Sequence, residues 1–329
     1  MNEQRGVKIL GWGQALPERV LTNQDLERMV ETSDEWIVSR TGIRERRIAA
    51  AETAASDLAV VAAREALQRA EVAPAQIDLI IVATVTPDMA FPATACLVQS
   101  ALAAGRAAAF DLEAGCSGFL YALATAREFI AGGTYDHVLV VGVDLLSKIT
   151  DWQDRNTCVL FGDGAGAVVL GPAAPGQGIL STYLGCDGAG GELLCLPAGG
   201  SRQPLTPENL AAGRQYIHMN GPEVFKFAVR IMGEAAVKAL ERAGLELQDV
   251  TYLVPHQANL RIIDAAARRL KLPPERVLVN LDRYGNMSSA SIPVALAEAA
   301  DAGRFHPGDI LVLVGFGAGL TWGAAAVRW

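Results

Sequence analysis

Ala62-Ala63-Arg64-Glu65-Ala66-Leu67-Gln68-Arg69-Ala70 and Ala235-Ala236-Val237-Lys238-Ala239-Leu240-Glu241-Arg242-Ala243 read as one segment met twice, 173 positions apart. The same shift, without a gap, lays Asp136-His137-Val138-Leu139-Val140-Val141-Gly142 on Asp309-Ile310-Leu311-Val312-Leu313-Val314-Gly315. Register kept over such a span marks a duplicated unit. Two like halves, 1–173 and 174–329, are expected to pack as one body about a pseudo-twofold axis. Their join falls in the Pro- and Gly-rich stretch 172–178. The seam between them is where unlike side chains can meet.

Around the repeated segments, helical and strand-like runs alternate, which predicts an α/β fold with parallel-rich sheets covered by helices. In the first half, 57–70 has helical periodicity, 77–83 and 107–112 read as strands, and a helix runs from Cys116 to about Ala131. A strand follows at 137–143, and the glycine run 162–166 is expected to be a hairpin turn. In the second half, helices are expected at 224–243, 259–270 and 291–302, with strands at 252–254, 277–280 and 310–314. Matching the glycine runs 162–166 and 315–319 gives a shift of only 153, so the first half carries about twenty extra residues around 147–159. An insertion on a repeated framework usually decorates a binding face.

Apolar residues make up 51% of the 329, enough for a large core, and the net charge of −8 argues against a general nucleic-acid binder. No apolar run is long enough to span a bilayer, and charges interrupt the first twenty residues, so neither a membrane segment nor a signal peptide is expected. Five cysteines without CxxC spacing, and four scattered histidines, predict no disulfide framework, no metal and a reducing cytoplasm.

Cys116 stands at the start of a helix between Gly115 and Gly118. The positive helix end is expected to lower its pKa and expose a nucleophilic thiolate. His256 ends a strand, the position where catalytic groups of α/β sheets collect. Under the shift of 173, Cys116 falls on Ser289, so Asn286 precedes the image of the nucleophile position. The glycine run at 162–166 is followed by a strand instead of a helix, which excludes a phosphate-cradling loop.

These motifs, taken in order, resemble the β-ketoacyl-acyl carrier protein synthase III family, the initiating condensing enzymes of bacterial fatty acid synthesis. The resemblance runs through Thr32-Ser33-Asp34-Glu35-Trp36-Ile37, Arg40-Thr41-Gly42-Ile43-Arg44-Glu45-Arg46, Gly115-Cys116-Ser117-Gly118-Phe119 and Phe161-Gly162-Asp163-Gly164-Ala165-Gly166-Ala167. It continues in Pro255-His256-Gln257-Ala258-Asn259, Gly285-Asn286 with Ser288-Ser289, and Gly323. It implies a thiolase-like fold layered α-β-α-β-α, and a homodimer acting on acyl-CoA and malonyl-acyl carrier protein without cofactor or metal.

By the same resemblance, Cys116 carries the acyl group, His256 and Asn286 bind the thioester oxygen, and the amides of Cys116 and Ala318 form an oxyanion hole. Ala318 stands where the family typically has glycine. CoA is expected to meet Trp36, Arg40, Thr41, Arg155 and Arg261, with adenine between Trp36 and Arg155. Asn156 and Pro222 depart from the family's glycine and asparagine there. Phe91, Phe161 and Phe316 are expected at the acyl pocket, Phe91 reaching across the dimer and favouring a small starter such as acetyl. Lys226, Arg261, Arg268 and Arg269 are expected to dock an acidic carrier protein.

Other readings differ in their residues. A degradative thiolase needs a second cysteine that 315–319 lacks. Hydroxymethylglutaryl-CoA synthase chemistry needs a glutamate base, and the pattern around Glu113 does not match it. A starter ketosynthase or acyltransferase of secondary metabolism shares the Cys116, His256 and Asn286 set. A silent acyl-binding partner subunit usually lacks the nucleophile.

Overall fold

A computed structural model describes residues 5–329. Nine strands form its main sheet: β1 Gly6–Ala15, β2 Leu79–Ala83, β3 Ala108–Leu112, β4 Val138–Leu145, β5 Asp163–Ala173, β6 Gly178–Cys186, β7 Tyr252–Pro255, β8 Ile310–Gly317 and β9 Thr321–Arg328. Their spatial order is β7-β8-β9-β6-β1-β5-β4-β2-β3. A single parallel pairing, Val7 with Gly178, joins the strands of the first half to those of the second. The helices that matter below are α1 Asp34–Thr41, α2 Ala55–Ala70, α3 Gly118–Ala131, α4 Arg155–Cys158, α5 Gly221–Ala243, α6 Leu260–Arg269 and α7 Ser291–Asp301.

The repeated segment is the inner face of α2 and α5. Ala62, Ala63, Ala66 and Leu67 are buried, and so are their images Ala235, Ala236, Ala239 and Leu240. Small residues let the helix lie close on the sheet. A Cβ on Gly11 of β1 would come within 2.8 Å of the Ala70 Cβ. The second repeat, β4 and β8, is buried along its whole length, as a central strand must be. Parallel register repeats too, with Leu79 opposite Val138 and Tyr252 opposite Leu311.

Helices α3 and α7 touch strands of both groups, whereas α2 covers β1, β4 and β5 and α5 covers β6, β8 and β9. The layers are therefore helix, sheet, helix, sheet, helix, and the seam runs through α3 and α7. Side chains close it: Trp12 Nε1 and Arg69 both donate to Asp301, at 2.8 and 3.0 Å.

The hairpin turn expected at 162–166 is corrected: residues 163–166 lie inside the long strand β5. The matching run 315–319 passes from the end of β8 into a turn at 318–320. These glycines answer to close approach: a Cβ on Gly166 would sit 2.8 Å from Pro293 Cβ, and one on Gly164 2.6 Å from Met287 Sδ. The insert is correspondingly shorter than the glycine match suggested. Leu139 pairs with Val169 and Val312 with Ala326, so the returning strands are 157 positions apart, against 173 for the outgoing ones, leaving sixteen extra residues. The expected strand at 277–280 reduces to one bridge, Leu253 with Val277. Among the described residues no helix is long and apolar enough to cross a membrane.

Candidate active site

After β3 the chain makes one tight 3-10 turn, Gly115–Ser117, and runs directly into α3. Gly115 has φ +54, a left-handed conformation that glycine adopts without penalty. Cys116 occupies the middle of this turn. The Ser117 hydroxyl pairs with Thr321 Oγ1 at 2.6 Å, and Thr321 Oγ1 also donates to Ala114 O at 2.8 Å. The turn of one half is thus pinned to the start of β9 in the other, where the β8–β9 loop ends. In that loop the Ala318 amide lies 2.7 Å from where a Gly115 Cβ would stand, and it donates to no backbone acceptor among the described residues.

His256 follows β7, and its amide donates to Val314 O at 2.8 Å. Gln257 braces it, donating to Pro255 O and Leu278 O and accepting from the Asn280 and Leu281 amides. The imidazole meets Phe316 edge-on at 5.6 Å. His256 is 1% exposed, and burial holds its pKa down to about 3, so the ring is neutral. Nδ1 has no partner. A bare lone pair is cheaper to bury than an orphan N–H, which puts the ring proton on Nε2.

Two glycines of β8 bring these groups together. A Cβ on Gly317 would lie 3.0 Å from the Cys116 Cα, and one on Gly315 would lie 3.3 Å from the His256 Cβ. Residues i and i+2 of a strand share a face about 6–7 Å apart. Cys116 and His256 therefore lean on neighbouring positions of one strand. Asn286 joins from the loop before α7: it bridges to Phe161, and its carbonyl accepts from the Gly162 amide at 3.0 Å. Its Oδ1 accepts from the Ser288 amide at 2.8 Å, which leaves Nδ2 as its free donor.

Cys116, Phe161, Ile217, Ser288 and Ala318 line a cavity of about 430 Å³, with further apolar side chains such as Val85 and Leu146. His256 and Asn286 are buried beside this space and are not part of its wall. Phe316 packs on His256 instead of facing the cavity, and Phe91, 84% exposed, lines neither cavity of its own chain.

The expectation of a depressed thiol pKa is overturned. Burial pushes Cys116 up to about 12, with the Asp144 and Glu113 carboxylates adding to the effect. The resting group is a thiol.

A second cavity, about 1020 Å³, meets the first at Ile217 and holds Trp36, Arg40, Thr41, Asn156, Pro222 and Arg261. Arg155, on α4 in the insert, lies directly on the Trp36 ring at 4.6 Å and donates to Glu31 O at 3.0 Å. The expected sandwich is therefore closed. A base entering between them has to displace the guanidinium by about one aromatic thickness, roughly 3.5 Å. Arg261 stacks on Phe225 at 5.1 Å at the cleft's edge. Lys226 on α5 and Arg268 and Arg269 on α6 are exposed, and the stem of Arg269 covers Gly233.

Sequence reasoning missed Ile217, where the cavities meet, and Ser288, whose hydroxyl faces the thiol. It also left unassigned the arginine that ends the segment 40–46. Arg46 is fully buried, and its guanidinium holds Asn23 Oδ1 at 2.9 Å and Val159 O at 2.8 Å, fastening the end of the insert.

Two family profiles match the chain: "3-Oxoacyl-[acyl-carrier-protein (ACP)] synthase III" over residues 110–188, and the C-terminal region of the same enzyme over residues 240–329. The β-ketoacyl-[acyl-carrier-protein] synthase III of Symbiobacterium thermophilum is 65% identical over 99% of this chain and 98% of its own. The chain belongs to the 3-oxoacyl-[acyl-carrier-protein] synthase III family. Members of known structure share its thiolase-like fold. The enzyme from Aquifex aeolicus VF5 superposes with a TM-score of 0.91 at 49% identity, covering 98% of this chain and all of that one. The priming β-ketosynthase of the R1128 polyketide pathway gives 0.92 at 38% identity, covering 100% and 97%. As a member of this family the chain is an acyl-transferring condensing enzyme.

Proposed function

We propose that this chain condenses a short acyl-CoA, acetyl-CoA foremost, with malonyl-acyl carrier protein to give a 3-oxoacyl-carrier protein, the first carbon–carbon bond of fatty acid synthesis. The observation that carries the reading is the placement of Cys116 and His256 against adjacent same-face positions of β8, beside a cavity that shares the wall residue Ile217 with a cleft large enough for CoA.

In the first half-reaction the Cys116 sulfur attacks the acyl-CoA carbonyl, the acyl–sulfur bond to CoA breaks, and the thiol proton ends on the CoA thiol. The Cys116 and Ala318 amides face the oxyanion. In the second, malonyl thioester loses CO₂, and the electron pair of the broken bond becomes an enolate. His256 Nε2–H and Asn286 Nδ2–H receive its negative oxygen. The enolate carbon attacks the acyl-Cys116 carbonyl, the thiolate leaves, and one proton from solvent restores the thiol. Each aimed donor is worth about 3 kcal/mol. With a pKa near 3, His256 serves as a neutral donor and not as an acid.

The CoA end is read as resting against Trp36, Arg40, Thr41 and Arg261, with Arg155 closing over it. The exposed row Lys226, Arg261, Arg268 and Arg269 offers the carrier protein a positive edge on an otherwise acidic chain. The five free cysteines suit a reducing cytoplasm.

Labelled acetyl-CoA is expected to leave acid-stable acetyl on the wild type and none on Cys116→Ala; label on both would sink the assignment. Cys116→Ala is expected to keep malonyl decarboxylation, and His256→Ala to lose it, read as CO₂ release. The reverse pattern would overturn the division of roles.

A further inference from the structure

Below the cavity lies a buried carboxylate that no step above uses. Asp144, in β4, is fully buried. Its Oδ1 accepts from the Val85 amide at 2.7 Å, the Thr84 hydroxyl at 3.1 Å and the Thr86 hydroxyl at 3.2 Å. Its Oδ2 accepts from the Ser289 hydroxyl at 2.7 Å and the Ser289 amide at 3.1 Å. Val85 is in the cavity wall of the first half, and Ser289 belongs to the second, so one side chain fastens both across the seam.

The duplication shows why it sits there. The turns Gly115–Ser117 and Ser288–Ala290 are 173 positions apart, and so are Asp144 and Gly317. Under Cys116 the opposite strand offers a glycine. Under Ser289, the image of Cys116, it offers a carboxylate. The backbone has the same shape in both turns, φ +54 at Gly115 and φ +48 at Ser288. Glycine takes that conformation freely, whereas a serine there is strained and persists only when its surroundings hold it. The bonds from Asp144 to the next residue supply that hold. The Ser288 amide, aimed by the turn, is the group that grips Asn286 Oδ1.

We infer that Asp144 is a positioning residue for Asn286: it locks the left-handed Ser288–Ser289 turn, and the turn orients the carboxamide so that Nδ2 meets the enolate oxygen. The inference rests on the role proposed above for Asn286. It makes the second copy of the nucleophile turn an anchor for the donor of the decarboxylation step.

The test separates the half-reactions in Asp144→Asn, whose amide nitrogen must face an N–H or O–H donor and break part of the clamp. Malonyl decarboxylation is expected to fall about 10²-fold in kcat with KM for malonyl carrier unchanged, the scale of a 1 Å misplacement. Acetyl transfer to Cys116 is expected to fall less than about threefold. Ser288→Gly in the Asp144→Asn background should recover at least about tenfold, since glycine needs no hold. Asp144→Asn with Asn286→Ala should be no slower than Asn286→Ala alone.

Equal loss in both half-reactions without recovery by glycine, or wild-type decarboxylation in Asp144→Asn, overturns the inference. Full decarboxylation in Asn286→Ala alone overturns the role of Asn286, and the inference with it. If Asp144→Asn does not fold, Ser289→Ala is read by the same criteria: selective loss of decarboxylation supports the inference, and proportional or no loss overturns it.

Discussion

The buried imidazole of His256 ties stability to pH. Its folded pKa, about 3, lies below the unfolded value of about 6.5, so between those values only the unfolded chain takes up the proton. Stability from this group is complete above pH 6.5 and is lost as pH falls toward 3, by about 1.4 kcal/mol per unit. Between pH 7 and 5 the loss is about 2 kcal/mol. Urea denaturation of the wild type and His256→Gln at pH 7, 6 and 5 should show the variant lacking this component; equal pH slopes would refute the buried neutral ring. The same physics reversed the reading of Cys116. A helix start favours the thiolate by at most about 2 kcal/mol. The rise from 9 to about 12 corresponds to about 4 kcal/mol the other way. Sequence shows that a cysteine opens a helix, but the depth at which the turn lies depends on loops 318–320 and 286–288, remote in the chain.

At the scale of elements, β8 carries the site through what it lacks. Gly317→Ala would place a methyl 2.3 Å from the Cys116 amide nitrogen and 3.0 Å from its Cα, main-chain atoms that cannot swing away. The turn Gly115–Ser117 has to move, and acetyl transfer from CoA in a single turnover is expected to fall about 10²-fold. Gly315→Ala meets only side-chain atoms at 3.3–3.4 Å and should act mainly on decarboxylation, through His256. Equal and small effects of both on acetyl transfer would refute the close packing of Cys116 on β8. Such glycines also explain what was misread. Helices and buried strands announce themselves by period, and the predicted helix at 57–70 and strand at 310–314 fall within α2 and β8. A glycine that admits a neighbouring backbone looks, in sequence, like one that turns the chain. For that reason the run 162–166 reads as a hairpin turn in sequence, and the insert reads four residues too long.

For the whole molecule the duplication was the most legible fact, because two copies of a buried face must keep the same small residues, as Ala62, Ala66, Ala235 and Ala239 do. The two cavities were less legible: their meeting point, Ile217, lies in a segment with no counterpart motif. What a single chain leaves open is its outer face near residue 91. Phe91, at 84%, is the most exposed large apolar side chain among the described residues, and Met89, 47% exposed, lies two positions before it in the same loop. Fully burying a Phe side chain is worth roughly 2–3 kcal/mol. A pair of such loops related by twofold symmetry counts that contribution twice. If the partner's loop completes the acyl pocket, a charge at this position should act on assembly and on starter transfer together. On the expectation of a homodimer joined through this loop, the wild type should scatter as twice 34.7 kDa, and Phe91→Asp should scatter as 34.7 kDa with a lower kcat/KM for acetyl-CoA. Phe91→Leu, apolar but smaller, should stay dimeric and accept longer acyl chains better than the wild type does. A dimer unaffected by Phe91→Asp, with unchanged starter preference, would place the subunit contact on another face.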